Sequence, residues 1–129
     1  MPDKYLSGET WLPVAKSIGL YSVSNIGNVR SHIGMSGGRI LKPSLIGRGY
    51  YQVHLNIKTH VYDRLVHRLV AEAFIGPCPK GKEVNHKNGN RRDNRVENLE
   101  YVTHRENLLH ARDVLGVSFG RRTRQAVPQ

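Results

Sequence analysis

Between residues 50 and 74 the apolar side chains change their spacing, and that change restricts the chain to a mixed architecture. Tyr51, Val53, Leu55 and Ile57 alternate with Tyr50, Gln52, His54 and Asn56, which is the period of a half-buried strand with a polar outer face. From residue 61 to residue 74, Leu65, Leu69 and Phe74, with Val66, Val70 and Ala73, recur at helical spacing, and Gly76-Pro77 ends the run. A strand with one apolar face and a helix with one apolar stripe each need a partner to bury against, so the expectation is an α+β fold. Upstream, Tyr21, Val23 and Ile26 lead into Asn25-Ile26-Gly27-Asn28 and then Val29, the grammar of a hairpin. Gly37-Gly38 and Gly47-Arg48-Gly49 read as further turns, with residues 39–43 as a short strand ended by Pro43. The expected architecture is N-terminal antiparallel hairpins followed by a helix and a second, shorter αβ unit.

That second unit begins near residue 80. Val84-Asn85 reads as a short strand with His86 at its end, followed by a turn rich in Asn and Gly. Thr103 and Glu106, three residues apart, make a capping box for a helix over residues 104–115, with Leu108, Ala111 and Leu115 inward and Gly116 as its stop. Residues 116–129 carry Arg121, Arg122 and Arg124 and few apolar groups, and read as a basic tail. The chain thus divides into residues 1–58, 59–115 and 116–129.

Charge narrows the partners. Lys and Arg number 20 against 10 acids, a net charge of +10 over 129 residues. Such a surplus on a small domain favours a polyanion, and each neutralised phosphate of a nucleic acid releases counterions. Cys78 is the single cysteine, which excludes an internal disulfide and a cysteine-rich zinc site. No apolar stretch approaches the length of a membrane span, and residues 1–10 do not read as a secretory signal, so the expected location is the cytoplasm.

Chemistry concentrates in EVNHKNGNRRDNRVENLEYVTHRENLLHA, residues 83–111. A histidine near neutral pKa can take a proton from water. The amide oxygens of Asn85 and Asn107 are hard donors suited to Mg²⁺ or Mn²⁺. A site of neutral oxygens holds such an ion weakly, so a DNA phosphate is expected to complete it. Arg91, Arg92 and Arg95, directly after the Asn-Gly turn, are candidates for phosphate contact. Arg48, His54 and His67 are further candidates for the DNA-binding surface; for His67 the competing reading is a helix histidine at the edge of the core.

This segment resembles the ββα-metal site of HNH endonucleases. It is most similar to the phage and intron-encoded homing branch, in which VHRLVAEAFIG precedes VNHKNGN. WLPV through GLYSVSNIGNVRS, continued by GRILKPSLIGRGYYQVHL, resembles the N-terminal nuclease-associated module of that branch. The resemblance covers about residues 9 to 111. It implies His86 as the general base, Asn98 as the brace of the loop that orients it, and Asn107 as a metal ligand. Asn85 stands where better-known members carry a metal-binding aspartate. The implied activity is metal-dependent hydrolysis of double-stranded DNA, with one site nicking one strand, in a monomer or homodimer. No protein partner is implied. If the chain is phage-encoded, its location is the cytoplasm of a bacterial host. The alternatives are a DNA-binding module of the same descent with weak or lost catalysis, and a ribosomal-type RNA binder, which explains the charge but not the ordered motif.

Overall fold

The structure, a computed structural model, describes residues 8–34 and 38–113. Strands β1 (Trp11–Pro13), β2 (Tyr21–Ser24), β3 (Val29–Ser31) and β4 (Arg39–Ile40) form an antiparallel sheet in chain order. A second antiparallel sheet joins β5 (Ser44–Leu45), β6 (Tyr51–Ile57) and β7 (His60–Leu65). Helix α1 (Val66–Phe74) follows, then β8 (Lys82–His86), a single 3₁₀ turn (Val96–Asn98), β9 (Leu99–Thr103) and helix α2 (His104–Asp113). β8 and β9 pair as an antiparallel ribbon in which Asn85 stands opposite Glu100 and His86 opposite Leu99.

The expected hairpin at residues 21–31 is β2–β3, closed by the Gly27 N–H donating to the Ser24 carbonyl at 3.0 Å. The expected alternation in β6 is also present: Val53 and Leu55 are buried while His54 and Asn56 are exposed. The helix expected to start at residue 61 starts at Val66 instead. Residues 60–65 are strand, paired with β6 from Gln52 opposite Leu65 to Ile57 opposite His60. Val61 and Tyr62 suit a strand, and β6 offers a full row of backbone partners that side-chain spacing alone does not reveal. β4 spans Arg39–Ile40, shorter than the strand expected over 39–43. Gly37, Leu115, Gly116 and the expected basic tail lie outside the described residues.

One core serves both halves of the chain. Val66, Leu69 and Val70 of α1 join a cluster with Val14, Tyr21, Val23 and Val29, with Val53 and Leu55 of β6, and with Leu99 of β9. Burying such side chains contributes about 1.5–3 kcal/mol each. The boundary expected at residue 58 falls in the turn of the β6–β7 hairpin, and the Tyr21 hydroxyl accepts the Asn56 N–H at 2.7 Å across the two sheets. No described helix is long and apolar enough to cross a membrane.

Candidate active site

The β2–β3 turn reaches the loop between β8 and β9. The Val96 N–H donates to the Asn25 carbonyl at 2.8 Å. Gly27 packs directly on Asn94: a Cβ built on Gly27 would stand 3.0 Å from the Asn94 Cβ, and its φ of +97° is one that L side chains rarely adopt. The loop is therefore pressed into place by the N-terminal sheet.

Its interior is organised by Asn98, which is buried. The Asn98 Oδ1 accepts the Asn88 N–H at 3.0 Å, and its Nδ2 donates to Asn88 Oδ1 at 3.0 Å and to the Asp93 carbonyl at 2.9 Å. Asp93 receives Arg95 through Nε and Nη2 at 2.8 and 2.9 Å. That guanidinium holds the Asp93 carboxyl well below the usual carboxylate range, at about 2. Arg95 is thus engaged within the loop, while Arg92 is exposed beside it.

His86 is 5% exposed, at the end of β8. Its Nε2–H donates to Asn94 Oδ1 at 2.8 Å, which leaves Nδ1 as the nitrogen without a proton. Burial pushes the His86 pKa below its ordinary value and Arg91 adds to this, while the Asn94 bond and the Asp93 charge act in the opposite direction. Burial thus favours the neutral form of the ring. Asn94 was not singled out by sequence reasoning. Nothing local marks it, because it meets His86 only when the loop folds back.

Neighbouring residues on a strand face opposite sides. His86 therefore turns toward α1, where its ring centroid lies 5.0 Å from that of His67 and 6.0 Å from that of Tyr50. Asn85 turns toward Glu100, whose Oε2 accepts its Nδ2–H at 2.8 Å. Helix α2 lies over this ribbon without burying any residue. It is fixed by polar bonds instead. Thr103 and Glu106 form the expected capping box, with bonds of 2.8 and 3.1 Å, and His110 Nε2 donates to the Lys87 carbonyl at 2.8 Å. From the same helix, Asn107 Nδ2 donates to Glu83 Oε2.

These elements enclose a cavity of about 470 Å³ lined by Asn85, His86, Asn107, Arg48, Arg91 and Tyr50, among others. The Arg91 guanidinium lies over the Tyr50 ring, 5.1 Å from its centroid, and donates to the Arg48 carbonyl at 2.6 Å. Of the residues expected at the site, the cavity collects Arg48, Asn85, His86, Arg91 and Asn107. Asn98 stands behind it as the loop brace. His54 is elsewhere, exposed and paired with Asp63 at 2.5 Å. His67 is buried at 5% exposure rather than presented on a surface, so this position does not offer the phosphate contact anticipated for it. A larger cavity of about 530 Å³, between β7 and α1, contains none of this constellation.

Comparison with known proteins gives two family matches. Residues 64–109 match the HNH endonuclease family, and residues 9–56 match the NUMOD4 motif. An uncharacterized HNH endonuclease of Acanthamoeba polyphaga mimivirus is 45% identical over 96 residues, 72% of this chain and 23% of that protein. DNA endonuclease I-HmuI of Bacillus phage SP01 is 34% identical over 110 residues, 84% of this chain and 62% of its own length. A solved structure concerned with DNA binding and cleavage by the HNH homing endonuclease I-HmuI matches with a TM-score of 0.75 at 32% identity, over 84% of this chain and 61% of that one. The chain spans less than two thirds of each of these relatives.

Proposed function

We propose that this chain, which matches the HNH endonuclease family over residues 64–109 and the NUMOD4 motif over residues 9–56, hydrolyses phosphodiester bonds in double-stranded DNA, nicking one strand, with His86 as the base that activates water. The observation that carries this reading is the placement of His86: its Nε2–H is tied to Asn94, which leaves Nδ1 without a proton, in one cavity with Asn85 and Asn107. Nδ1 takes the proton of the attacking water. Asn94 holds the tautomer, and Asn98 holds the loop that carries Asn94. Arg91 and Arg48, on the cavity wall, bind the scissile phosphate and orient it, with Arg92 available alongside.

The donor set fits a divalent cation, Mg²⁺ or Mn²⁺. Among the described residues no cluster of three His, Cys, Asp or Glu side chains could hold a metal. The two amide nitrogens are engaged by carboxylates, which leaves hard Oδ1 donors on Asn85 and Asn107. These two residues would hold the ion together with a DNA phosphate oxygen. When bound, it supplies charge neutralisation at the phosphate and its leaving oxygen. DNA and metal binding are coupled on this reading, the protein acts as a monomer or homodimer, and it works in the cytoplasm of a bacterial host.

The test is supercoiled plasmid with the full chain, in Mg²⁺, Mn²⁺ or EDTA, beside His86→Ala. Conversion to open circles that requires metal and falls at least about 100-fold in His86→Ala supports the proposal. DNA binding with no cleavage in either metal refutes it, and identifies a binding module of HNH descent. That second reading draws on the neutral amide at position 85.

A further inference from the structure

Two carboxylates that take no part in the scheme above stand directly behind the two amides. Strand alternation and register put them there. Glu83 and Asn85 share one face of β8, and Asn85 is paired across the ribbon with Glu100. Helix α2 brings Asn107 onto the same face, where its amide meets Glu83. A carboxylate only accepts hydrogen bonds, so an amide that faces one presents its nitrogen and turns its oxygen away. Asn85 Nδ2 donates to Glu100 Oε2 at 2.8 Å, and Asn107 Nδ2 donates to Glu83 Oε2. Glu83 also lies 3.3 Å from His104 Nδ1 through its other oxygen. Among the described residues neither amide oxygen accepts a hydrogen bond, although both asparagines line the cavity with His86. Glu83 and Glu100 do not line it.

We propose that Glu83 and Glu100 are positioning residues that lock the amides of Asn107 and Asn85 with Oδ1 toward the metal, and that their charges compensate for the neutrality of those ligands. A neutral amide alone would rotate between its two faces and attract a cation weakly. An amide bonded to a carboxylate has one orientation, and its oxygen becomes more negative. Arg48 and Arg91 on the same cavity wall repel a cation, and the two carboxylates offset them. The charge missing from position 85 is thereby restored one residue behind it. This inference rests on the metal-dependent reading above.

The test measures Mn²⁺ binding to the full chain by the loss of the free-ion EPR signal, with a DNA duplex present and in a His86→Ala background, so that no cleavage intervenes. Glu83→Gln and Glu100→Gln are each expected to weaken Mn²⁺ binding about tenfold, in line with the effect of residues behind a ligand, with the circular dichroism spectrum unchanged. Asn107→Asp puts a charged ligand on the cavity with oxygen at both side-chain positions, so Glu83 has no amide left to orient there. Adding Glu83→Gln to Asn107→Asp should therefore leave Mn²⁺ affinity no weaker than in Asn107→Asp alone, whereas the same change costs about tenfold in the parent. Glu83→Gln thus harms one background and spares the other, which loss of fold stability alone would not produce. If Glu83→Gln fails to fold, Glu100→Gln and the paired variant carry the test. Mn²⁺ affinity unchanged in the single Gln variants, or the same loss in the paired one, overturns the proposal while leaving the nuclease reading intact. A parent that binds no Mn²⁺ with DNA removes the metal-dependent reading, and this inference with it.

Discussion

Acid should unfold this protein through His67. Its ring is buried among Tyr50, His86 and Arg68, and its Nδ1 has no hydrogen-bond partner. Burial, helped by the nearby His86 and Arg68, lowers its pKa from 6.5 to about 3. The unfolded chain therefore binds a proton between these values that the folded chain refuses. Stability from this group is complete above pH 6.5 and is lost as the pH falls toward 3. At about pH 5 the unfolded histidine is almost fully charged and the folded one is not, which amounts to about 2 kcal/mol relative to about pH 7.5. That figure holds for any folded pKa below about 4.5, so it does not depend on the depth of the shift. His86, also lowered, adds a loss of the same sign. The control is His67→Phe, a ring of similar size that cannot titrate. Urea unfolding of both proteins, followed by the fluorescence of the single tryptophan, Trp11, and by circular dichroism, reads the effect directly. Acidification from about pH 7.5 to about pH 5 should lower the wild-type urea midpoint by about 1 M more than that of His67→Phe. Equal losses in the two proteins would refute the reasoning.

Three further outcomes follow from the site. Asn94→Asp places a carboxylate against His86 Nε2 in place of the 2.8 Å amide bond; it should raise the low-pH limb of the nicking profile by about 1 unit, whereas Asn94→Ala lowers the rate without an upward shift. Gly27→Ala forces a Cβ to within 3.0 Å of Asn94 at a φ of +97°; thermal melting should show a loss of about 1–3 kcal/mol, and nicking should fall more than in destabilised variants remote from the site. Arg91→Ala removes a guanidinium from the cavity wall; DNA affinity should drop, and the slope of log affinity against log salt should become shallower by about 1 in a filter-binding titration. An unchanged slope would take Arg91 out of the phosphate contacts.

Much of the site's chemistry is legible along the chain because it depends on short-range rules. The alternation of Tyr51, Val53, Leu55 and Ile57 is a property of the pleat, and it survives in β6. Thr103 and Glu106 satisfy each other's backbone donors at the start of α2 whatever else the chain does. The spacing of His86, Asn98 and Asn107 resembles a known motif, and the segment that holds them lies within the match to the HNH endonuclease family. The start of α1 was not legible. Residues 61–65 have helical side-chain spacing, but their backbone groups pair with β6, a partner supplied by the hairpin.

Tertiary structure decided the partners. Asn94 orients His86 only because the β2–β3 turn presses the loop inward at Gly27. His67 changed from a candidate DNA contact to a buried neighbour of His86 because α1 turns it into the core. Glu83 and Glu100 gained their place behind Asn107 and Asn85 from strand register and from the docking of α2. Periods, caps and turns arise from residues a few positions apart, so most of the elements and the candidate role of His86 could be read along the chain. Hydrogen-bond choice and desolvation arise from groups that meet only when sheets, loop and helix close on one another, and those set the protonation of His86 and the orientation of its asparagine neighbours.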